Sequence, residues 1–121
     1  MLEYEKICSD ILNVSNKIRY VGIYDAGEFY HKLQKGTTSY LTNEETELSL
    51  SQAVYRWSTR KKMAPKIGKP LFSMARYEKV YRFTIPLNGA SLILISLEPE
   101  GNPLEIVEKI LELKEGILQK N

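Results

Sequence analysis

A single cysteine, Cys8, and a single histidine, His31, are all that the 121 residues hold of the two best transition-metal ligands. One thiol closes no internal disulfide, and one imidazole does not supply the clustered nitrogens of most zinc sites. Long apolar runs are missing as well: the longest aliphatic one, Leu92-Ile93-Leu94-Ile95, falls far short of the ~18 residues that cross a bilayer. The glycines Gly22, Gly27, Gly36, Gly68 and Gly89 are dispersed, so neither a Walker loop nor a dinucleotide-binding turn is encoded. The start, Met1-Leu2-Glu3-Tyr4-Glu5, is acidic and lacks the basic and apolar segments of a secretory leader, which predicts a cytoplasmic protein. No glycine follows Met1 and no prenylation cysteine lies at the end, so none of the simplest lipid anchors is expected. The Asn13-Val14-Ser15 triplet fits a glycosylation acceptor, but that chemistry needs a secretory context.

What is present describes an ordinary globular chain. Hydrophobic residues make up 43% and charged residues 26%, which excludes disorder and low-complexity architecture. Residues 1–121 are expected to form one domain that buries roughly two-thirds of its unfolded surface. Apolar residues at Tyr4, Ile7, Cys8, Ile11, Val14 and Ile18 keep the three-and-four spacing of an amphipathic helix. Arg19 to Tyr24 then turns β-rich, and Asp25-Ala26-Gly27 supplies turn chemistry before Glu28 to Leu33, which predicts a hairpin. Thr42-Asn43-Glu44-Glu45 is a capping box, opening a second helix that runs to about Lys62 and packs through Leu50, Ala53, Val54 and Trp57.

Ala64-Pro65 stops that helix, since the residue before proline is pushed out of helical geometry. After a connector from Pro65 to Pro70, three antiparallel strands are predicted at Leu71–Tyr77, Val80–Leu87 and Ser91–Leu97, the last two joined across Asn88-Gly89. Tyr81, Phe83, Ile85 and Leu87 alternate as a strand with one buried face does, whereas Leu92 to Ile95 is apolar on both faces and belongs in the middle of a sheet. Asn102-Pro103-Leu104-Glu105 opens a last helix, with Val107, Ile110, Leu111, Ile117 and Leu118 on its apolar side. The order is α-ββ-α-βββ-α, an α+β class.

That order over the whole chain resembles the roadblock and longin group of profilin-like domains, and the hairpin Tyr24-Asp25-Ala26-Gly27-Glu28-Phe29 is similar to the short acidic turn between the first two roadblock strands. The resemblance implies a five-stranded antiparallel sheet of order 2-1-5-4-3, with helices on both faces, one on one side and two on the other. It also implies a homodimeric or heterodimeric platform for small GTPases or signalling partners. The stretches Pro65-Lys66-Ile67-Gly68-Lys69 and Ala75-Arg76-Tyr77-Glu78-Lys79 resemble those of a group of small archaeal proteins. One departure stands out: a typical roadblock second helix is not followed by so dense a basic cluster.

The chemistry of catalysis is sparse. No nucleophile motif surrounds His31, Cys8 sits on the apolar side of the first helix, and Glu44, Glu45 and Glu47 complement a helix dipole. No catalytic residue, metal or cofactor is expected, and the protein is read as a non-enzyme. Charge is the more informative signal. Net charge is only +2, yet residues 56–82 hold Arg56, Arg60, Lys61, Lys62, Lys66, Lys69, Arg76, Lys79 and Arg82 against Glu78 alone. The residues on either side are acidic on balance.

Two readings of this basic centre stand side by side. The cations offset the dipole of the second helix and keep an edge strand soluble, or Arg56, Arg60, Lys61, Lys62, Lys66 and Lys69 converge on an anionic partner. Three functions follow. The first is a non-enzymatic regulatory or scaffold module that pairs through the second helix and the neighbouring strand edge, using Leu48, Leu50 and Tyr55. The second is a small-ligand sensor with a pocket between sheet and helix, into which Tyr20, Tyr24, Tyr30, Tyr77 and Tyr81 offer hydroxyls. The third is electrostatic nucleic-acid binding, with Tyr55, Trp57, Tyr77 and Tyr81 available for stacking.

Overall fold

The opening helical periodicity ends sooner than its spacing suggests. In the computed structural model, which describes residues 3–89 and 91–120, helix α1 spans Tyr4–Leu12, and Ile18 is already the first residue of strand β1, Ile18–Asp25. Asn13 to Asn16 are short, polar or β-branched residues that favour caps and turns over helix interior. The side-chain amide of Gln34 reaches the carbonyl oxygens of Leu12, Ser15 and Ile18 at 3.0, 3.3 and 3.2 Å, giving the helix end partners it lacks internally. Val14 and Ile18 keep helical spacing by coincidence: Ile18 is buried as a strand residue. Met1 and Leu2, part of the acidic start read against a leader, lie outside the described residues, as do Ala90 and Asn121.

Strand β1 turns at Ala26-Gly27, both with positive φ (52° and 86°), a mirror-image turn whose twist matches its strands, and returns as β2, Glu28–Leu33. Asp25 anchors this hairpin. Its carboxylate accepts hydrogen bonds from the Tyr4 hydroxyl of α1 and from Ser91 Oγ, the latter at 2.9 Å, and both hold its pKa below the ordinary range.

Helix α2, Asn43–Lys61, begins on the expected capping box: Glu45 N donates to Thr42 Oγ1 at 3.1 Å and Thr42 N to Glu45 Oε1 at 2.9 Å. The connector that follows is not plain loop. Ala64–Ile67 forms one helical turn, α3, because Pro65 early in a turn is preset in φ and its missing N–H is not needed. Strands β3 (Ser73–Arg76), β4 (Tyr81–Pro86) and β5 (Leu92–Leu97) come next, and helix α4 spans Pro103–Lys120. Glu105 N donates to Asn102 Oδ1 at 3.2 Å, closing the start of α4.

All four strand pairings are antiparallel and the sheet order is β2-β1-β5-β4-β3, as the resemblance implied. Helices α1 and α4 cover one face and α2 the other. Beneath α1 and α4 the sheet offers Ile18, Val21, Ile23, Phe83, Ile85, Ile93, Ile95 and Leu97, closed over by Ile7, Ile11, Val107 and Ile110 among others. Each such burial contributes about 1.5–3 kcal/mol, which makes this layer the main store of stability. Cys8 belongs to it, and burial pushes its thiol up to about 12. Among the described residues no helix is long and apolar enough to cross a membrane.

Candidate functional site

The sheet face beneath α2 is made of different material. Across the five strands Ala75, Arg82, Ser96, Tyr20 and Leu33 lie in one row, and Ser73, Thr84, Leu94, Gly22 and His31 in the next. Helix α2 covers these rows thinly, through Thr46, Leu50, Ala53 and Trp57, with Leu92 and Leu94 as their buried apolar partners on the sheet. Gly22 leaves room in the middle. A Cβ there would stand 2.6 Å from Tyr20 Oη and 3.2 Å from the Phe29 ring, so the bare backbone lets the tyrosine fold across the strand. The Tyr20 hydroxyl is buried there with no hydrogen-bond partner among the described residues, and burial raises its pKa. His31 is exposed on the edge strand, stacked on Phe29 with ring centroids 4.8 Å apart. No group of three His, Cys, Asp or Glu able to hold a metal occurs among the described residues.

The outward side of α2 carries exposed apolar residues. Leu48 is 60% and Tyr55 77% exposed, seven residues and two helical turns apart on one ridge. Leu50, grouped with them as an interface residue, is only 4% exposed and packs with Ala53, Trp57, Leu92 and Leu94; at 3.6 residues per turn it cannot share a ridge with Leu48. Beside the helix, β3 is a four-residue edge strand exposed from Met74 to Arg76, and the connector adds exposed Met63, Ile67 and Leu71. Apolar side chains and an unpaired strand edge thus lie near one another.

The basic residues divide into two groups. Arg56 and Arg60 line a cleft of about 90 Å³ between α2 and strands β3 and β4, where they meet Arg82. Lys61, Lys62, Lys66 and Lys69 are exposed and do not line it. Arg82 was not among the expected anion-binding residues; its signal is that it is a charged residue inside the Tyr81–Pro86 alternation, on the side opposite Phe83 and Ile85.

A second cleft, of about 600 Å³, opens between the loop before α2, the β3–β4 turn and the adjoining sheet. Tyr20, Tyr77, Tyr40, Leu41, Val80 and Arg82 are among its walls. Of the five tyrosines expected in such a pocket, only Tyr20 and Tyr77 line it. Tyr30 and Tyr81 pack against the core on the opposite face, and Tyr24 sits in the far row with Leu92 and Phe29. Tyr40, which local pattern did not single out, is held by Arg19, whose guanidinium lies 4.2 Å from its ring centroid. Arg19 is itself fixed by Glu98 Oε1 at 2.6 Å and the Thr38 carbonyl at 2.7 Å. The stacking platform foreseen for nucleic acid is not formed as expected, because Trp57 is buried and Tyr81 half-buried in packing.

Comparison with protein-family models gives no match, and comparison with curated proteins by sequence gives none. The fold, however, is that of roadblock-like domains. MglB of Myxococcus xanthus superimposes with a TM-score of 0.73 at 15% identity, over 99% of this chain and 91% of that one. A Roadblock/LC7 domain from Streptomyces avermitilis gives 0.70 at 8% identity, over 95% and 94%. A further MglB structure, described as having a tetrameric arrangement, gives 0.66 at 14% identity, over 96% and 88%.

Proposed function

We propose that this chain is a one-domain, cytoplasmic, non-enzymatic scaffold or regulatory platform that pairs with a second copy of itself through α2 and the β3 edge, and so presents a composite surface to a protein partner. The partner class implied by the fold is a small GTPase or signalling protein. One observation carries the reading: Leu48 and Tyr55 stand exposed on the outward ridge of α2, next to an unpaired strand. Isolated exposed apolar residues need no explanation, but a ridge of them beside a bare edge favours an interface.

The charge pattern of α2 supports a specific pairing. Its first turns carry Glu44, Glu45 and Glu47, and its last turns Arg56, Arg60 and Lys61. Two such helices running antiparallel about a centre between Ser51 and Gln52 set Leu48 against the partner's Tyr55 and Glu47 against the partner's Arg56. Acidic and basic ends then meet twice, and electrostatic complementarity of this kind fixes register and partner. The tetrameric arrangement described for the similar MglB structure fits a fold that assembles.

Sedimentation at tens of micromolar tests the reading. The native chain is expected to run as a dimer, Glu47→Arg alone to weaken it about tenfold or more, and Glu47→Arg with Arg56→Glu to regain most of the loss. A strict monomer, or a double variant no better than the single one, overturns it.

A further inference from the structure

We propose that the paired clefts beside α2 form a binding site for a small phosphate monoester, its phosphate held in the 90 Å³ cleft by Arg60 and Arg82 and its apolar or aromatic body in the 600 Å³ cleft beyond. The argument begins with how the arginines are employed. Arg19 is paired with Glu98, and Arg76 donates to the Val80 carbonyl and lies over Tyr81. Arg56, Arg60 and Arg82, the three that line the small cleft, have no ion-pair or hydrogen-bond partner among the described residues. Arg60 has only the Trp57 ring, 5.8 Å away. Arg60 and Arg82 are half-buried, and guanidinium charge withdrawn from water without a counter-charge is unfavourable. A ligand that supplies the charge removes that cost.

The hydroxyls in the cleft tell the same story. Ser49, Ser73 and Thr84 line it, and none of them makes a side-chain hydrogen bond among the described residues. A volume of about 90 Å³, small beside the roughly 600 Å³ of the neighbouring cleft, suits a compact tetrahedral head better than an organic body. Guanidinium forks match phosphate oxygens, and hydroxyls fill the acceptors the forks leave. A terminal phosphate, with up to two negative charges and three free oxygens, answers several donors at once, whereas a phosphodiester offers one charge and two such oxygens.

The two clefts share Arg82 and Tyr77 as walls. A ligand whose head sits at Arg82 therefore has space on the other side for an organic body. That side has Leu41, Val80 and the rings of Tyr40 and Tyr77 in a wall whose surface is mostly apolar, together with the charged groups of Arg19, Glu78 and Lys79, so it suits an apolar body with a few polar substituents. The volume lies within the range of such pockets, roughly 300–1,000 Å³. Head and body are thus recognised by different elements, the head by α2 with β3 and β4, the body by the loop before α2 with the β3–β4 turn. This site goes beyond the pairing proposed above, and sedimentation of every variant keeps the two readings apart.

Titration of the full chain with phenyl phosphate, followed by amide shifts in nuclear magnetic resonance spectra and by calorimetry, tests the site. Shifts are expected at Tyr77, Val80, Arg82 and Thr84, with affinity above that of inorganic phosphate and of phenol. Arg82→Gln should weaken binding about tenfold to a hundredfold, and Arg60→Gln, on the helix surface, should do the same should the β4 variant fold poorly. Lys66→Gln with Lys69→Gln should leave binding unchanged. Shifts confined to the connector lysines, an affinity in both arginine variants equal to that of the native chain, or an oligothymidylate binding as tightly as phenyl phosphate would overturn the proposal.

Discussion

The two faces of the sheet share five strands and little else. Under α1 and α4 the three central strands, β1, β5 and β4, present mostly isoleucine, leucine, valine and phenylalanine. Under α2 the sheet presents Gly22, Ser73, Thr84, Arg82, Ser96 and Tyr20, with Leu92 and Leu94 as the buried aliphatic contacts. Alternation along each strand makes this possible, because neighbouring residues serve opposite layers and can be chosen independently. One face holds the fold together. The other gives up apolar burial and gains clefts, hydroxyls and unpaired guanidinium groups, which is where interaction chemistry has room.

The contrast is most easily broken by truncation. Phe83→Ala, on the dense face, is expected to cost about 3–5 kcal/mol in chemical denaturation, whereas Leu50→Ala should cost about 2–3 because α2 can settle toward the sheet. Equal losses, or the reverse order, would mean that both layers share the load. Gly22→Ala comes next at about 1–3 kcal/mol, since the new methyl would stand against Tyr20 Oη. Adding Tyr20→Phe should recover part of that loss, and a strictly additive double variant would refute the contact. On its own, Tyr20→Phe should raise stability by about 1 kcal/mol, because it removes a buried hydroxyl that has no partner among the described residues; a loss instead would point to a partner for it.

The smallest effect concerns pH and belongs to the dense side. Asp25 has a depressed pKa, through Tyr4 first and Ser91 second. Its contribution is fully present above the ordinary carboxylate value near 4 and fades as pH falls through the lowered one. Asp25→Asn should therefore flatten the acid limb of the stability curve and lower stability at neutral pH, where the carboxylate's contribution is fully present. An unchanged acid limb would mean the carboxylate is not linked to folding.

Much of this contrast was legible in residue order. The alternation of Phe83, Ile85 and Leu87 against Arg82, Thr84 and Pro86 announced one apolar and one mixed face, and the doubly apolar run from Leu92 to Ile95 announced a central strand. Thr42 and Glu45 fixed the start of α2. Other features were hidden because they depend on chain sections far apart. Arg82 meets Arg56 and Arg60 only once β4 lies under α2, and Tyr40 becomes a cleft wall only when Arg19, from β1, reaches the loop that carries it. The end of α1 was misplaced for a local reason: Val14 and Ile18 obey helical spacing, while the polar residues among them break the helix. Leu50 is apolar like Leu48 and Tyr55, but its spacing from Ala53 and Trp57 puts it on the packed side of α2.

A last consequence lies in the sheet's borders. On β2 the outermost residues include Glu28 and Lys32, the latter tied to Ser9 Oγ at 3.0 Å, and charge on a border discourages annexation by foreign strands. β3 has less of that protection, with Met74 and Ala75 at its centre. Should two chains join across β3, both remaining borders of the enlarged sheet would be the guarded kind. Growth by strand addition would then stop at a pair instead of running on into a fibre.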